Sequence, residues 1–371
     1  MEISVEREQM WAAFQTAAQV ASPRSPKPIL QNVKLEVTEA GATLMATDLE
    51  VGIRIEVTGI EVTRVGSAVL PVSRFSSILR ESNDQKLQIE AGPNGMIVKG
   101  EHSQFKLPSG NPEEFPVVEE FTEEKCHEVP SRLMKELIRR TLFATDTESS
   151  RYALGGVLLE FSAEEITAVG TDGRRLAKMA GAASSKNGHE SGEAMTIVPA
   201  RSMQLIERAL NEDDAGIQVA TRVNDILIKT PQTTIYSRLV EGRFPKWRDV
   251  LPDRQDAVHI EIAVGPMYSA LRQAAVVASD ESRGIDFTFG GGTLILSGNT
   301  AEIGESRVEF PIAYDGDEIT VALDHRFVAD FLKVLDAEKT FSVEIENGES
   351  AALFTTDDGY GYVVMPLARD R

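Results

Sequence analysis

The chain has 371 residues, of which 42% are hydrophobic and 26% are charged, a composition typical of an ordinary soluble protein with room for two or three domains. This composition excludes collagen-like and intrinsically disordered proteins, and no apolar run reaches the roughly eighteen residues that a membrane helix needs. The formal net charge of −20 argues against a nucleic-acid partner unless Lys and Arg are concentrated on one surface.

The N-terminus, MEISVEREQM, alternates like a β-strand and has neither a basic segment nor an apolar core, so we predict no signal peptide. The single cysteine, Cys126, has no partner for an internal disulfide. The segment Cys126-His127-Glu128 lacks a second cysteine or a paired histidine to complete a metal site, and the five histidines are scattered along the chain. We therefore predict a cytoplasmic protein with no metal and no cofactor.

In chain order, amphipathic helices alternate with blocks of short strands. The helices carry apolar residues at i, i+3, i+4 and i+7, and the strands alternate apolar and polar residues between turns such as NG, DG and GG. The predicted helices cover residues 6–21, 74–81, 131–143, 201–210, 265–278 and 324–335, and the clearest strands cover 33–37, 157–161 and 285–289. Polar or proline-rich segments at 108–129, 184–193 and 242–261 are predicted to be linkers or loops.

The same succession of elements recurs three times. A shift of 124 residues places Thr171-Asp172 on Thr47-Asp48, and a shift of 257 places Met267 on Met10. In the third copy Gly298-Asn299 takes the place of Thr47-Asp48, so we expect the turn to be kept there and its acid lost. We therefore predict an α+β protein of three repeated domains, each with two helices and many strands, at residues 1–125, 126–256 and 257–371.

The segment Thr171-Asp172-Gly173-Arg174-Arg175 raises the question of an active site. An enzyme could use Asp48 and Asp172 as acid-base carboxylates, but no histidine, cysteine or serine constellation accompanies them, and the repeat puts them in separate domains. An Asp-Gly pair is also the usual signature of a tight turn. We predict a turn in a protein without catalytic residues, and an enzyme that uses Asp172 is kept as an alternative.

The charge is distributed unevenly. The six predicted helices carry a net charge of +5, which leaves −25 for the strands and loops. Lys135, Arg139 and Arg140 are spaced to share one face of their helix. Each is consistent with an ordinary solvated helix charge, whereas the segregation as a whole favours an anionic partner held against the helices. The alternative is an acidic interaction scaffold that binds no nucleic acid.

The triplicated α+β unit and three segments resemble the bacterial DNA polymerase III β subunits, the DNA sliding clamps. The segments are TDGRRLA at 171–177, VEGRFPKWRDVLP at 240–252 and YVVMPL at 362–367. The resemblance implies the DNA clamp fold, in which two protomers join head to tail into a closed ring with helices inside and sheets outside. It implies a non-catalytic processivity factor that encircles duplex DNA without reading its sequence. The implied partners are the DNA polymerase III catalytic subunit, the clamp loader, and other polymerases and repair proteins that bind through short peptides.

The resemblance also implies three groups of site residues. The DNA-facing group is Arg24, Arg74, Arg151, Tyr152 and Arg201, together with Lys27. Arg24 and Lys27 are equally consistent with solubilising loop charges. The pocket for partner peptides is formed by Leu154, Thr171, Gly173, Arg174, Arg175, Leu176, Pro245, Val250, Val363, Val364, Met365, Pro366 and Leu367.

The protomer interface is implied at Gln104, Phe105 and Leu107 in the first domain and at Val276, Val277, Glu302 and Glu305 in the third. Phe105 is equally consistent with a core residue of its strand. Two pocket positions depart from the family pattern, because Arg174 stands where a histidine is familiar and Asp249 where an arginine is. The chain also continues past Leu367, and we expect these differences to alter peptide preference.

Overall fold

The computed structural model describes residues 1–92, 95–146, 152–190, 192, 195–210, 215–251, 257–279, 283–301 and 303–368. The chain forms two compact units. The first comprises Met1–Lys135, Phe161–Glu164 and Ala183–Leu239, and the second comprises Glu136–Glu160, Glu165–Ala182 and Val240–Arg371. The middle predicted copy therefore contributes to both units.

The six predicted helices are all present. They are α1 (Arg7–Ala18), α2 (Val72–Glu81), α3 (Ser131–Thr141), α4 (Ala200–Ala209), α5 (Val264–Ala274) and α6 (His325–Lys333). Five of the six predicted ends were one to four residues too long, the exception being α2. After α3 and α5 the chain continues as a turn of 3-10 helix, at Leu142–Ala144 and Ala275–Val277. Asp324 caps α6, since its carboxylate accepts a hydrogen bond from the backbone N–H of Arg326 at 3.0 Å.

Short strands make up most of the rest of the described chain. In the first half they are β1 (Glu2–Glu6), β2 (Asn32–Thr38), β3 (Gly41–Thr47), β4 (Val51–Val57), β5 (Ile60–Arg64), β6 (Gly66–Pro71), β7 (Lys86–Gly92), β8 (Gly95–Lys99), β9 (Gln104–Leu107), β10 (Cys126–Pro130), β11 (Gly156–Phe161), β12 (Glu165–Thr171) and β13 (Arg175–Ala182). In the second half they are β14 (Ser184–Lys186), β15 (Thr196–Pro199), β16 (Gly216–Thr221), β17 (Asp225–Lys229), β18 (Thr233–Arg238), β19 (Val258–Ala263), β20 (Gly284–Gly290), β21 (Thr293–Thr300), β22 (Gly304–Pro311), β23 (Ile319–Asp324), β24 (Thr340–Ile345), β25 (Ala352–Thr355) and β26 (Gly361–Val364).

The first unit contains two antiparallel sheets. One has the order β5-β1-β7-β8-β9, and the other has the order β14-β10-β16-β17-β18-β4-β3-β2-β6. The second sheet joins strands from the first and second predicted copies through the pair β18 and β4, in which Ile235 lies opposite Ile53. Backbone hydrogen bonds across this seam make the two copies parts of one continuous sheet.

The second unit also contains two antiparallel groups of strands. One runs in the order β11-β12-β13-β26-β25-β24-β19, and the other in the order β22-β21-β20-β23. Strand β26 is inserted beside β13, so that the last strand of the chain pairs with a strand of the middle copy: Leu176 lies opposite Val363.

The cores follow the periodicities that predicted the elements. In β2, NVKLEVT, alternate residues Val33, Leu35 and Val37 are buried. In the first unit the rings of Phe14 on α1 and Phe75 on α2 meet edge to face, with centroids 4.8 Å apart. In the second unit Phe331 on α6 stacks on Tyr362 of β26 at 5.3 Å.

Candidate functional site

The turn between β12 and β13 is fixed by its own side chains. The Thr171 hydroxyl donates to the carbonyl of Arg175 at 2.7 Å and accepts from the N–H of Gly173 at 3.1 Å. Asp172 Oδ1 accepts from the N–H groups of Arg174 and Arg175, at 2.9 and 3.0 Å. Gly173 has φ of 87°, a left-handed conformation that favours glycine.

The first copy has the same turn between β3 and β4. The Thr47 hydroxyl donates to the carbonyl of Val51 at 2.8 Å, and Asp48 Oδ1 accepts from the N–H groups of Glu50 and Val51. Leu49, in the position of the glycine, also has a positive φ, of 79°. The Thr-Asp pair is therefore a turn that the repeat has duplicated, as predicted.

In the third copy the predicted position of this turn is wrong. Gly298 and Asn299 lie inside β21, opposite Ser306 and Glu305 of β22. The strand continues to Thr300, which is the counterpart of Thr47 as the last residue of its strand. The hairpin is longer in this copy, so the turn comes two residues after the predicted position.

Asp172 is a structural carboxylate. Its Oδ1 atom holds the turn, and its Oδ2 atom lies 3.0 Å from Arg175 Nε. The side chain is 8% exposed. With both oxygens bound inside the protein, Asp172 is not placed to take a proton from a substrate, so the alternative of an enzyme based on this residue finds no support.

Arg175 is held from several sides in the second unit. Its guanidinium donates to Asp330 Oδ2 at 2.9 Å and to the carbonyl of Phe143 at 2.6 Å, and it lies over the Phe327 ring at 4.3 Å. Burial lowers the pKa of Arg175, but the nearby Tyr362 and Asp330 more than offset this and raise its pKa overall. Arg175 is thus a fixed, charged part of the framework under the turn. Asp330, Phe327 and Phe143 were not predicted as site residues; the only hint in the sequence was the i, i+3 spacing of the first two on α6.

The apolar pocket residues divide into a buried set and an exposed set. Leu154, Leu176, Val363 and Val364 are at most 8% exposed, and the last three lie in the paired strands β13 and β26. Met365 and Leu367 are 46% and 38% exposed, although their backbone N–H groups donate to the carbonyls of Arg174 and Ala322. Pro366, between them, is partly exposed. The chain end is therefore tied down while its side chains remain accessible.

The segment 242–250 also belongs to the second unit. Trp247 Nε1 donates to Glu160 Oε1 at 3.3 Å, and Arg248 Nη2 lies 2.7 Å from Glu160 Oε2. These contacts hold the segment against the end of β11. Pro245 is exposed and Val250 is 41% exposed.

Charged side chains accompany these apolar residues. Arg174 is exposed, and its guanidinium lies 5.3 Å from the centroid of the Phe327 ring. Asp249 is exposed and lies next to Val250. The structure thus brings together Thr171–Leu176, Leu154 and Val363–Leu367 around the strands β11, β12, β13 and β26.

The candidate DNA-facing residues are mostly accessible. Arg24, Lys27, Arg74, Arg139 and Arg201 are exposed, and Lys135 is partly exposed. Arg151 and the side chain of Tyr152 lie outside the described residues, although the backbone of Tyr152 begins the 3-10 turn Tyr152–Leu154. Arg24 and Lys27 lie in the loop between α1 and β2.

Arg140 does not belong with this set. It is 9% exposed, its Nη1 atom lies 2.6 Å from Asp358 Oδ2, and its Nε atom lies 2.9 Å from Glu136 Oε2. The guanidinium also lies over the Tyr360 ring at 5.3 Å. The prediction that Arg140 shares an exposed face with Lys135 and Arg139 is wrong, because the charge is buried and neutralised within the second unit.

The candidate interface residues lie on two edge strands and on the 3-10 turn that follows α5. Gln104, Phe105 and Leu107 lie on β9, the last strand of its sheet, and Phe105 is 38% exposed rather than in the core. Val276 is 76% exposed, Val277 is partly exposed, and Glu305 lies on the edge strand β22. Glu302 lies outside the described residues.

A pair of buried histidines in the first unit was not predicted. The Thr221 N–H donates to His189 Nε2 at 3.1 Å, so His189 carries its proton on Nδ1 and donates it to His127 Nδ1 at 2.6 Å. His127 Nε2 in turn donates to the carbonyl of Ser162 at 2.6 Å. The pairing of His127 with His189 could not be predicted from the sequence. Within the described part of the chain no group of three potential ligands is placed to hold a metal ion.

Burial and the neighbouring His127 and Lys125 lower the pKa of His189 from 6.5 to about 4. His189 is thus neutral at pH 7. In the described residues no helix is long and apolar enough to cross a bilayer.

Comparison with known proteins covers almost the entire chain. Three family models match in order: the N-terminal domain of the DNA polymerase III beta subunit at residues 1–119, its central domain at 128–246 and its C-terminal domain at 248–368. The beta sliding clamp of Pseudomonas putida is 29% identical over 375 residues, covering 99% of this chain and all of the relative. That of Escherichia coli K12 is 29% identical over 378 residues, with the same coverage.

Solved structures of the same family also match this chain over its full length. The DNA polymerase III subunit beta of Pseudomonas aeruginosa matches with a TM-score of 0.91 and 26% identity over the full length of both chains. The Pseudomonas aeruginosa sliding clamp bound to griselimycin matches with a TM-score of 0.93 and 27% identity, also over both full lengths. The α+β repeats have the three-domain clamp fold, and the chain belongs to the DNA polymerase III β subunit family, the beta sliding clamps.

Proposed function

We propose that two copies of this chain form a closed ring around duplex DNA and confer processivity on a replicative DNA polymerase. The observation that carries the proposal is the ordered match of the three β-subunit domain models along residues 1–368. A clamp of this kind holds its polymerase by topology and performs no chemistry. The acidic scaffold without DNA is not favoured, because the relatives are sliding clamps. We place the protein in the cytoplasm, where bacterial DNA is replicated.

The two open sheet edges support closure of the ring by a second copy. In the described residues β9 ends the five-stranded sheet and β22 ends the four-stranded one, and an unpaired edge is a template for another strand. Lys106 is exposed on β9, and β22 carries exposed Glu305, Arg307 and Glu309, so the two edges have net charges of opposite sign. The seam between β18 and β4 supplies an example of the same kind of joint within one chain. We therefore propose that β9 of one protomer pairs with β22 of its partner in a head-to-tail dimer.

Exposed basic side chains on the helices support the DNA-facing assignment. Arg74 on α2, Arg139 on α3 and Arg201 on α4 are exposed in a protein whose net charge is −20. Contacts from Lys and Arg to phosphates carry no sequence information, which suits a protein that must move along DNA. We propose that Arg24, Lys27, Arg74, Lys135, Arg139 and Arg201 contact phosphates. Arg151 and Tyr152 are proposed from the family resemblance alone.

The tied-down chain end supports the peptide pocket. Accessible Met365, Leu367 and Val250 lie on a framework of buried strands, and small apolar sites with a flexible methionine suit the aliphatic and aromatic anchors of a short peptide. We propose that peptides of the polymerase catalytic subunit, the clamp loader, other polymerases and repair proteins bind here. Exposed Arg174 and Asp249 then contribute charges that select among these peptides.

The ring is tested by topology. After the clamp loader places the protein on a nicked circular plasmid, it should coelute with the circle in gel filtration and be released when a restriction enzyme linearises the plasmid. Retention on linear DNA with free ends would contradict the proposal. Replacing Lys135 and Arg139 with Glu should shorten retention on the circle most strongly at low salt, where contacts to phosphates are strongest. The same change at Lys229 and Lys339, exposed lysines outside the helices, is the matched control.

A further inference from the structure

A small recess in the first unit places two arginines of one helix opposite two polar acceptors. Its volume is about 150 Å³, and its walls are the end of α1, the turn between β3 and β4, and α4. The lining residues are Gln19, Val20, Val51, Arg201, Gln204, Leu205 and Arg208.

The helix α4 presents its polar side to this recess. Arg201, Gln204 and Arg208 follow one another at i, i+3 and i+7, so they share a face, and all three are exposed. Leu205 and Ile206 are buried and anchor the helix on its sheet. The recess therefore has an apolar base and exposed polar walls.

Each arginine is held by one acceptor from the first repeat. Arg201 Nη1 donates to Asp48 Oδ2 at 2.5 Å, and Arg208 Nη1 donates to Gln19 Oε1 at 2.8 Å. A guanidinium has five N–H donors, so both arginines keep donors for a ligand. Asp48 itself is only 10% exposed, because its other oxygen is bound to the turn, whereas the Arg201 side chain is 60% exposed.

We propose that this recess binds one phosphodiester of the DNA backbone and that Asp48 weakens the interaction between Arg201 and this phosphodiester. This inference rests on the proposed function. The two arginines and Asp48 carry a net charge of +1, which matches a single phosphodiester. Gln204 and Gln19 add neutral donors for its oxygens. The phosphate competes with the Asp48 carboxylate for Arg201, so the contact is made and broken easily, as movement along DNA requires.

The two other copies of the turn differ in this respect. In the second copy, Asp172 Oδ2 also binds an arginine, but that residue is Arg175, which is buried. In the third copy the strand ends at Thr300 and is followed by Ala301, which has no carboxylate. Of the three turns, the one at Asp48 alone pairs its acid with an exposed arginine in the described part of the chain.

The test measures binding of the purified protein to a short fluorescent DNA duplex by anisotropy over a range of salt concentrations. Asp48→Asn keeps the oxygen that the turn needs and removes the competing charge. It should tighten binding by about three- to tenfold and steepen the slope of log K against log salt by up to about one. Arg201→Gln and Arg208→Gln should each weaken binding and flatten the slope.

Two controls make the outcome specific. Glu50→Gln removes an equal charge two residues away, from a side chain that is 66% exposed and paired with Arg238 outside the recess, so it should have a much smaller effect. In the Arg201→Gln background, Asp48→Asn should bring no further gain. Equal effects of Asp48→Asn and Glu50→Gln, or a gain that persists without Arg201, would overturn the proposal.

Failure of this inference is distinguishable from failure of the proposed function. If the wild-type protein is retained on circular DNA and released on linearisation while Asp48→Asn binds the duplex like the wild type, only the role of Asp48 is refuted. If the wild type is not retained on the circle, the clamp function itself fails. Thermal unfolding of each variant at one protein concentration shows that the fold is intact.

Discussion

Acidification should destabilise the protein through the buried pair His127 and His189. Both rings are at most 5% exposed, and every ring nitrogen is used: protonating His189 Nε2 would set a new N–H against the N–H of Thr221. The pKa of His189 is about 4 in the folded protein and 6.5 as a reference for the unfolded chain. Because the folded pKa is lowered, the contribution is fully present above pH 6.5 and is lost as the pH falls towards 4.

The magnitude follows from the interval between the two pKa values. One pKa unit corresponds to about 1.4 kcal/mol, so the full loss is about 3 kcal/mol at or below pH 4, and about 2 kcal/mol is already lost at pH 5. Carboxylates titrate over the same range, so the contribution of the histidine must be isolated by comparison with a variant. His189→Gln is suitable because an amide can donate to His127 and accept from Thr221 without titrating.

The assay is urea unfolding at pH 7 and pH 5, at one protein concentration. The wild type should lose about 2 kcal/mol more free energy of unfolding between these pH values than His189→Gln does. His102→Gln, at a side chain that is 90% exposed, should behave like the wild type. If His189→Gln shows the same pH dependence as the wild type, the reasoning about this pair is refuted.

Three further predictions test the turn, the pocket and the edges. Gly173→Ala should cost about 1 kcal/mol of stability, because φ of 87° strains any side chain there. Leu49→Gly should change stability little, because relief of the same strain offsets the added entropy of the unfolded chain. Thermal unfolding measures both costs, and equal costs would contradict this account. Leu176→Ala should weaken binding of a short peptide with aliphatic and aromatic anchors about tenfold while the dimer stays assembled, as measured by calorimetry and sedimentation. Phe105→Arg should shift the dimer towards monomer in sedimentation, while Val117→Arg, at a valine that is 90% exposed, should not; a fully dimeric Phe105→Arg would remove β9 from the interface.

Much of the fold could be predicted from the sequence, because the repeat supplies the same information three times. The shift that aligns Asp172 with Asp48 aligns two turns with the same hydrogen bonds, even though Leu49 replaces Gly173. The helices were found from their apolar spacing. The turn of the third copy was predicted two residues too early, because the alignment of the repeats does not show that this hairpin is longer.

Side-chain pairs between residues far apart in the chain could not be predicted from the sequence. Arg140 had the spacing of an exposed helix charge, and its partner Asp358 lies 218 residues away. His127 and His189 are likewise separated by 62 residues of unrelated sequence. The apolar pocket residues were found through the family resemblance, but the anchoring of Arg175 by Asp330 depends on α6 of another repeat.

The open edges β9 and β22 have a consequence for the behaviour of the protein in concentrated solution. Two complementary ends on one molecule can also join in a line, and head-to-tail units whose rotation does not close would grow into a filament. Closure at two subunits must therefore compete with polymerisation. The net charge of −20 on each chain opposes the linear product, because every added subunit brings another 20 negative charges to a growing fibre, whereas the dimer stops at two.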